Sequence, residues 1–412
     1  MEIENANTDE MIAEELKYSA HNYHPMPVVL KSGEGVFVED VEGKRYYDFL
    51  SAYSAVNQGH CHPRIVSALK EQSERLTLTS RAFHNDQFGI YARYITELFG
   101  YEKMLPMNTG AEAVETALKI CRKWAYEKKG IEEGQAIILF ASENFHGRTL
   151  AVISASSDPD SRGGFGPYLP GIQQVRYNDL SDLKRALENK NVAGFIVEPI
   201  QGEAGVVVPD DHYLSEAFAL CQQNQVLMIA DEIQTGIART GKMLCVDHSG
   251  IKPDMVLLGK ALSGGTVPVS AVLSSSEIME VIRPGQHGST YGGSPLGSAV
   301  AMAALQVVVD EGLEENASKM GEMFRERIAV LMDKCDLIQC VRGKGLLNAI
   351  VINSSEDSDL AMRICLQLKE NGLLAKPTHG NKIRLAPPLV ITEEQMDHAL
   401  TIIERTFLKF NS

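Results

Sequence analysis

The sequence predicts an α/β fold in which a parallel sheet is covered by helices, followed by a smaller α+β domain. Between about residues 105 and 275, short apolar runs alternate with segments of helical periodicity; the runs cover 136–141, 193–197, 226–230, 255–258 and 270–273. Runs that are apolar throughout are typical of strands buried on both faces, as in parallel sheets. After about residue 312 helical segments dominate, which indicates the second domain.

Single elements can be assigned in chain order. Residues 33–49 have the pattern of a hairpin that turns at Glu42-Gly43. Residues 111–129 place their apolar side chains on one helical face. Asn108-Thr109-Gly110 precedes that helix, and the free N–H groups of a helix start suit an anion. Beyond residue 312 we expect helices at 313–334, 357–371 and 393–408, with strands at 346–352 and 382–385.

Composition limits the class of protein. The 412 residues suffice for two or three domains, and 44% hydrophobic with 23% charged residues is ordinary for a globular chain. The net charge of −15 disfavours nucleic acid and anionic membranes as partners. No apolar run approaches the ~18 residues of a membrane span. Seven cysteines without a C-x-x-C pair indicate a reducing compartment rather than a disulfide framework.

The first ten residues are acidic and show neither a secretory nor an Arg-rich transit pattern. The cytoplasm is therefore the default expectation. The mitochondrial matrix is the alternative if a presequence has been removed.

The stretch IADEIQTGIARTGKM raises two alternatives. Gly236 to Lys242 has the G-x-x-x-x-G-K spacing of a phosphate-binding loop. That loop needs Ser or Thr after the lysine, where Met243 stands, and the apolar run ends five residues too early, at Asp231. A second glycine-rich segment, Gly343–Asn348, lacks the third glycine of a dinucleotide loop and is better interpreted as a turn between strands.

The other alternative is a buried carboxylate at the end of a strand. Asp231 ends one apolar run, and Lys260 follows the next. Pyridoxal phosphate requires a lysine for its aldehyde and an acid for its ring nitrogen. Burial would favour the neutral amine of Lys260, the form that adds to an aldehyde.

Pyridoxal phosphate also requires groups that bind its phosphate and an apolar surface that packs against its ring. Gly110 and Ala111 at the helix start suit the phosphate, and Phe145 follows another apolar run. Taken singly, Phe145 is better explained as a core residue and Gly110 as a simple helix-start glycine. Their joint position beyond the ends of successive strands favours a pyridoxal phosphate site.

The sequence resembles the class III aminotransferases, which are fold type I enzymes dependent on pyridoxal phosphate, and within them the ornithine-specific branch. The match extends from about Tyr18 to about Phe410. The segments that show the resemblance include MNTGAEAVETALK, NFHGRTL, FIVEPIQGEAGVVVP, ADEIQTGIARTGK, DMVLLGKALSGG and HGSTYGGSPLG. The resemblance implies a mostly parallel seven-stranded sheet between helices in a large domain (54–312). An N-terminal segment (1–53) and a C-terminal small domain (313–412) would flank it.

The resemblance also implies roles around the cofactor. Lys260 would hold it covalently and, once released, move a proton between substrate and cofactor carbons. Asp231 would pair with the ring nitrogen and Gln234 with the phenolic oxygen. The other expected cofactor-binding residues are Phe145, which would stack on the ring, Gly110 and Ala111, which would bind the phosphate, Glu198, and Thr290. Thr290 would reach the phosphate of the neighbouring subunit, which requires a homodimer with sites at the interface.

Five residues would bind substrate. Arg148 would take the α-carboxylate of ornithine, Tyr23 would hydrogen-bond the α-amino end, and Tyr53 would shape that pocket. Glu203 would pair with Arg384 while ornithine is bound and release it for 2-oxoglutarate or glutamate. From the residues alone, an ordinary surface pair of Glu203 with Arg384 and simple packing of Tyr23 remain open.

The implied reaction is a ping-pong transfer of the δ-amino group of L-ornithine to 2-oxoglutarate. It gives glutamate and glutamate-5-semialdehyde, which closes to pyrroline-5-carboxylate. The alternatives are an acetylornithine or 4-aminobutyrate aminotransferase, and a non-catalytic binding protein on the same fold. Tyr23, Tyr53 and Glu203 favour ornithine over those two substrates.

Two further features bear on the site. Val267 stands where ornithine aminotransferases usually carry an aromatic residue, which puts the local geometry in question. His60-Cys61-His62 has metal-binding residue types, but no further ligand cluster accompanies it, so no metal is expected.

Overall fold

A computed structural model describes residues 7–411. Residues 1–6 and Ser412 lie outside the described residues. Residues 1–6 belong to the acidic N-terminus and to the predicted segment 1–53, and Ser412 ends the predicted domain 313–412. The strands are β1 (Leu30–Glu34), β2 (Phe37–Asp40), β3 (Arg45–Asp48), β4 (Lys103–Met107), β5 (Ile137–Ala141), β6 (Ile172–Val175), β7 (Val192–Val197), β8 (Leu227–Asp231), β9 (Met255–Leu258), β10 (Ser270–Ser274), β11 (Ile338–Lys344), β12 (Leu347–Ile352), β13 (Leu373–Leu374), β14 (Lys376–Thr378) and β15 (Lys382–Leu385).

Helices cover the sheets and connect the strands. They are α1 (Thr8–Tyr18), α2 (Ser51–Ser54), α3 (Pro63–Arg75), α4 (Phe88–Phe99), α5 (Gly110–Trp124), α6 (Leu150–Ile153), α7 (Pro159–Arg162), α8 (Leu180–Ala186), α9 (Tyr213–Gln223), α10 (Ser276–Met279), α11 (Pro295–Asp310), α12 (Leu313–Met332), α13 (Leu360–Glu370) and α14 (Glu393–Phe410).

The central sheet has seven strands in the order β4-β10-β9-β8-β7-β5-β6. Five neighbouring strands, β9 to β6, run parallel, whereas β10 is antiparallel to both β4 and β9. All side chains of β7, β8 and β9 are buried, as expected for strands covered on both faces. The predicted mostly parallel seven-stranded sheet is therefore confirmed.

The two edge strands of this sheet were not predicted. β6 has two exposed glutamines and β4 begins with an exposed lysine, so neither is an apolar run. An edge strand is paired on one side only, and the hydrophobic signal on which the prediction depended is weak there.

Two smaller sheets flank the central one. The predicted N-terminal hairpin is formed by β2 and β3, and β3 pairs in parallel with β13 from the C-terminal part of the chain. The other sheet has the order β11-β12-β15-β14. One hydrophobic core cluster contains Phe49, Leu262, Val300, Phe324 and Phe407 and so crosses the expected boundaries near residues 53 and 312. Those boundaries remain an expectation.

Helix boundaries differ from the prediction at several ends. The predicted helix 111–129 is α-helical only to Trp124 and continues as a π-helical turn over Ala125–Lys129, which ends at Gly130 with φ 82°. The predicted helix 357–371 begins at Leu360, because residues 354–359 form polar turns.

The stretch Gly236–Lys242 forms consecutive turns and not a phosphate loop. Arg239 is fully buried and donates hydrogen bonds to the Asn57 side chain and to the carbonyls of Leu346 and Pro387. The cation therefore joins three segments of the chain and is not available to a phosphate. Likewise Gly343–Asn348 spans the turn between β11 and β12, as predicted.

No single helix among residues 7–411 is long and apolar enough to cross a membrane. The bent pair α11 and α12 meets that criterion by length and composition only. Both helices contribute many side chains to the hydrophobic core, including Val300, Leu305 and Phe324.

Candidate active site

The predicted cofactor residues other than Thr290 meet in a cavity of about 190 Å³ at the carboxyl ends of β8 and β9. An adjoining cavity of about 240 Å³ shares Phe145 and Glu203 with it. The first cavity is lined by predicted residues Gly110, Ala111, Phe145, Glu198, Glu203, Asp231, Gln234 and Lys260, and the second adds Tyr53, Arg148 and Arg384.

Asp231 ends β8 and holds its carboxylate inside the protein. One oxygen, Oδ1, accepts from the backbone N–H of Ile233 at 3.1 Å, and Oδ2 lies 2.6 Å from Nδ1 of His146. Burial disfavours the charged imidazole, but the hydrogen bond and charge of Asp231 outweigh it and raise the pKa of His146. The two side chains therefore form a buried, hydrogen-bonded pair.

His146 was not identified from the sequence. It lies in NFHGRTL, one residue after Phe145, but nothing local distinguishes it from a packed core histidine. Only the fold brings β8 beside the loop that follows β5.

Lys260 begins a short 3-10 turn directly after β9 and Gly259. Its φ of 45° lies in the left-handed region, which is costly for a residue with a side chain and is often found at functional sites. Burial lowers the pKa of Lys260, with Glu203 acting against this and Arg384 adding to it. The environment thus favours the neutral amine.

The start of α5 forms an anion cradle. Thr109 and Glu112 cap it reciprocally, with Glu112 accepting from the Thr109 N–H at 2.7 Å. The N–H groups of Gly110 and Ala111 lie in the first turn, where no intrahelical acceptor exists. Gly147 lies against this turn, and a Cβ there would lie 2.8 Å from Cβ of Ala111. A glycine at 147 therefore keeps the cradle open.

Gln234 lies between the cofactor cavity and the substrate cavity. Its Nε2 donates to Glu203 at 3.1 Å and to the carbonyl of Tyr53 at 3.4 Å. Within the described residues its buried Oε1 has no hydrogen-bond partner. A Cβ at Gly202 would overlap that oxygen, so glycine is required beside it.

These residues fit pyridoxal phosphate. The cavity offers a buried acid for the ring nitrogen, a lysine with a lowered pKa for the aldehyde and a helix start for the phosphate. Phe145 lines the same cavity as an aromatic face.

Glu198 lines the same cavity and binds the loop that carries Phe145. Its carboxyl is buried and accepts from the Phe145 N–H at 3.0 Å. Burial raises the pKa of Glu198 to about 7, with nearby His146 acting against this. The contact fixes the loop that carries Phe145 and His146.

At the substrate end, Arg384 and Glu203 form a direct ion pair. Nη1 of Arg384 lies 2.7 Å from Oε1 of Glu203, and the arginine side chain is 1% exposed. Its guanidinium also lies over the ring of Tyr53, 4.8 Å from the centroid. Burial acts to raise the pKa of Glu203, but the charges of Arg384 and Lys260 keep it lowered. The pair is therefore internal, not an ordinary surface pair.

The structure does not bring Tyr23 or Thr290 into these cavities. Tyr23 is 70% exposed and lines neither cavity. Thr290 is exposed as well and lines neither. Within one described chain, the expected roles of both residues find no geometric support.

The His60-Cys61-His62 segment has other contacts. His60 lies 2.7 Å from Asp48 and His62 2.9 Å from Glu311, so the two imidazoles pair with different carboxylates. No cluster of metal-ligating side chains is found in residues 7–411. Val267 packs against the main hydrophobic core and lines a separate cavity, outside the two described above.

The fold and site together define a pyridoxal-phosphate-dependent transferase. Residues 18–407 match the aminotransferase class-III family, and the chain belongs to that family. A sequence relative, the mitochondrial ornithine aminotransferase of Rattus norvegicus, is 59% identical over 96% of this chain and 90% of its own. The ornithine aminotransferase of Schizosaccharomyces pombe is 57% identical over 97% of this chain and 93% of its own.

Solved structures similar to this chain are aminotransferases, and the two described here are named for different substrates, ornithine and acetylornithine. The ornithine aminotransferase of Toxoplasma gondii superposes with a TM-score of 0.96 at 48% identity, covering 98% of this chain and 94% of that one. The acetylornithine aminotransferase of Elizabethkingia anophelis superposes with a TM-score of 0.91 at 57% identity, covering 98% of this chain and all of that one.

Proposed function

We propose that this enzyme transfers the δ-amino group of L-ornithine to 2-oxoglutarate, giving glutamate and glutamate-5-semialdehyde, which closes to pyrroline-5-carboxylate. The observation that carries the proposal is the different state of two arginines in one substrate cavity. Arg384 has a carboxylate partner, whereas Arg148 forms no ion pair with any carboxylate of the described residues. The relatives named for ornithine support the same reaction.

The charges of the substrates match this arrangement. Ornithine brings one carboxylate, which Arg148 binds at the far end of the cavity, so the reacting amine lies near Lys260. While ornithine is bound, Glu203 remains paired with Arg384, so that Arg384 cannot bind a second carboxylate. Glutamate and 2-oxoglutarate carry a carboxylate next to the reacting carbon. This carboxylate displaces Glu203 and binds Arg384.

When bound, the cofactor supplies an electron sink for the carbon that loses its proton. Asp231, held by His146, would keep the ring nitrogen protonated, and Gln234 would hydrogen-bond the phenolic oxygen. Phe145 would pack against the ring, and Gly110 and Ala111 would bind the phosphate. The amine of Lys260, whose pKa burial lowers, would remove and return the proton.

Thr290 acts on the neighbouring subunit, so the functional unit is a homodimer. Its exposure, with that of Tyr291 (63%), leaves both side chains free for a second chain. Beside them lies a mainly apolar cavity of about 590 Å³, whose lining includes Thr77, Leu78, Val267, Pro268 and Tyr291. Tyr23, on the exposed segment that precedes β1, contacts the α-amino end of ornithine.

The compartment stays a prediction. Relatives from Rattus norvegicus and Drosophila melanogaster are named mitochondrial, whereas those of Schizosaccharomyces pombe and Emericella nidulans carry no compartment in their names. Fractionation of cells that produce the protein distinguishes the cytoplasm from the mitochondrial matrix.

The test is a half-reaction of the purified holoenzyme with ornithine alone. We expect loss of the absorbance of the aldehyde form of the cofactor, together with a pyrroline-5-carboxylate product that o-aminobenzaldehyde traps. A band that ornithine leaves unchanged, but that acetylornithine or 4-aminobutyrate removes, would replace the substrate and retain the family. The acetylornithine alternative is the stronger of the two, because a solved relative carries that name.

A further inference from the structure

Arg148 is held by two contacts, although its side chain is exposed. Its Nη1 donates to Oγ of Ser161 at 2.6 Å, and its guanidinium lies 5.3 Å from the ring centroid of Phe145. An unconstrained surface arginine samples many rotamers, and binding a ligand in one geometry then costs side-chain entropy. These contacts keep Arg148 at the wall of the substrate cavity.

The hydroxyl of Ser161 has a second partner. Ser161 is buried and donates to Oδ2 of Asp158, so one hydroxyl accepts from the arginine and donates to the carboxylate. Asp158 is itself fixed as the N-cap of α7, because its Oδ1 accepts from the Asp160 N–H at 3.0 Å. Burial acts to raise the pKa of Asp158, but the hydrogen bonds from Ser161 and from the Asp160 N–H, with the charge of Arg148, keep that pKa lowered.

The serine separates two opposite charges that would otherwise pair. Asp158 and Arg148 both line the substrate cavity, yet they form no ion pair. At Arg384 the arrangement is the reverse, since Glu203 contacts the guanidinium directly. A carboxylate in direct contact has to be displaced by an incoming substrate, whereas a carboxylate one hydroxyl away orients the arginine without occupying its binding edge.

We propose that Ser161 and Asp158 form a relay that positions Arg148 and leaves its guanidinium free for the α-carboxylate of a diamino acid. Ser161 is thereby a positioning residue that sets the preference for a substrate with a carboxylate at the end far from the reacting amine. The inference rests on the proposed function, because it assigns Arg148 to the carboxylate of ornithine.

The experiment compares three half-reactions of the holoenzyme, followed by cofactor absorbance, in the natural protein and in Ser161→Ala. The amino donors are ornithine, 1,4-diaminobutane (the same chain without the carboxylate) and glutamate. With ornithine, we expect the half-saturating concentration to rise about tenfold in Ser161→Ala, as for a lost hydrogen bond to a charged group, with a similar limiting rate. The reaction of 1,4-diaminobutane should not change, because it has no carboxylate for Arg148, whereas glutamate carries a second carboxylate at its far end and should change in the same direction as ornithine.

Two variants serve as controls. Ser161→Thr restores the hydroxyl and should recover the ornithine half-saturation of the natural protein. Ser154→Ala removes a buried hydroxyl of the same segment that contacts only the backbone of Leu150 and Leu169, and it should leave all three reactions unchanged.

Results that differ from these expectations would contradict the proposed relay of Ser161 and Asp158. Equal losses with all three donors in Ser161→Ala would indicate a structural role, and an unchanged ornithine reaction would show that the hydroxyl does not act on Arg148. A natural enzyme that reacts equally well with ornithine and 1,4-diaminobutane would instead refute the carboxylate role of Arg148 in the proposed function, and the relay with it.

Discussion

Nδ1 of His146 lies 2.6 Å from Oδ2 of Asp231, and both buried side chains line the cofactor cavity. Among residues 7–411, His146 is the only side chain that hydrogen-bonds this carboxylate. His146 thus holds one oxygen of the Asp231 carboxylate in place, and the backbone N–H of Ile233 holds the other. A carboxylate buried in this way is stabilised by pairing, and the pairing also fixes its orientation.

Replacement of His146 by Phe tests that role. The substitution keeps an aromatic ring near Phe140, whose ring centroid lies 5.5 Å from that of His146, but it removes the partner of Asp231. We expect kcat to fall about tenfold to a hundredfold and the holoenzyme to lose cofactor more readily, because the unpaired buried carboxylate holds the ring nitrogen less well. Phe140→Leu alters the same ring contact and should retain kcat. An unchanged kcat in His146→Phe would refute the positioning role.

Replacement of Glu203 by Gln tests the two states of Arg384. The amide keeps the volume of the side chain but removes the charge that pairs at 2.7 Å. We expect the half-saturating concentration of glutamate to fall about tenfold, and the preference for the δ-amine of ornithine to weaken, because Arg384 is then free in both half-reactions. Steady-state kinetics with both amino donors measure the change. Glu216→Gln, at an exposed position on α9, is the control, and equal effects on both donors would contradict the model of alternating partners.

Hybrid dimers test whether Thr290 acts across the interface. Lys260→Ala should abolish turnover, and Thr290→Ala should weaken cofactor binding about tenfold. In a hybrid of these two subunits, one site combines Lys260 of one chain with Thr290 of the other and is intact. Each hybrid dimer, separated from both parent dimers, should therefore have about half the activity of the natural dimer, because one of its two sites is intact. If mixing restores nothing although light scattering shows hybrids, Thr290 does not act in trans.

Glu232 makes folding stability depend on pH. It is buried beside Asp231 and bonds Thr235 and the Val246 N–H, and burial raises its pKa from the ordinary 4.5 to about 7. Between about pH 4 and pH 8 the unfolded chain gives up this proton first, so the free energy of unfolding falls as the pH rises, by up to ~3 kcal/mol.

The variant Glu232→Gln mimics the protonated form and should remove that slope. Unfolding in urea at pH 5 and pH 8 measures it, and the variant should gain stability relative to the natural protein only at the higher pH. Glu188→Gln, at an exposed position, should follow the natural protein at both pH values. A constant difference between Glu232→Gln and the natural protein at both pH values would refute the assignment.

Much of the site was predictable because its parts follow strands that are apolar throughout. Asp231 and Lys260 each stand at the end of such a run, and parallel strands deliver their carboxyl ends to one edge of the sheet. That rule needs no tertiary information beyond the class of fold. The family resemblance then supplied roles for Gln234 and Arg384, residues whose local sequence carries no chemical signal of its own.

The sequence by itself determined the α/β class, the inner strands and the chemistry of the cofactor cavity, because hydrophobic periodicity and strand-end residues are local properties. Only the tertiary structure showed that His146 pairs with Asp231 and that Ser161 lies between Arg148 and Asp158. It also decided that the expected pair of Glu203 and Arg384, 181 positions apart in the chain, is internal. Such contacts depend on how loops from different strands pack. Side-chain pairing over long separations is not encoded in any periodicity, so it becomes visible only when the chain is folded.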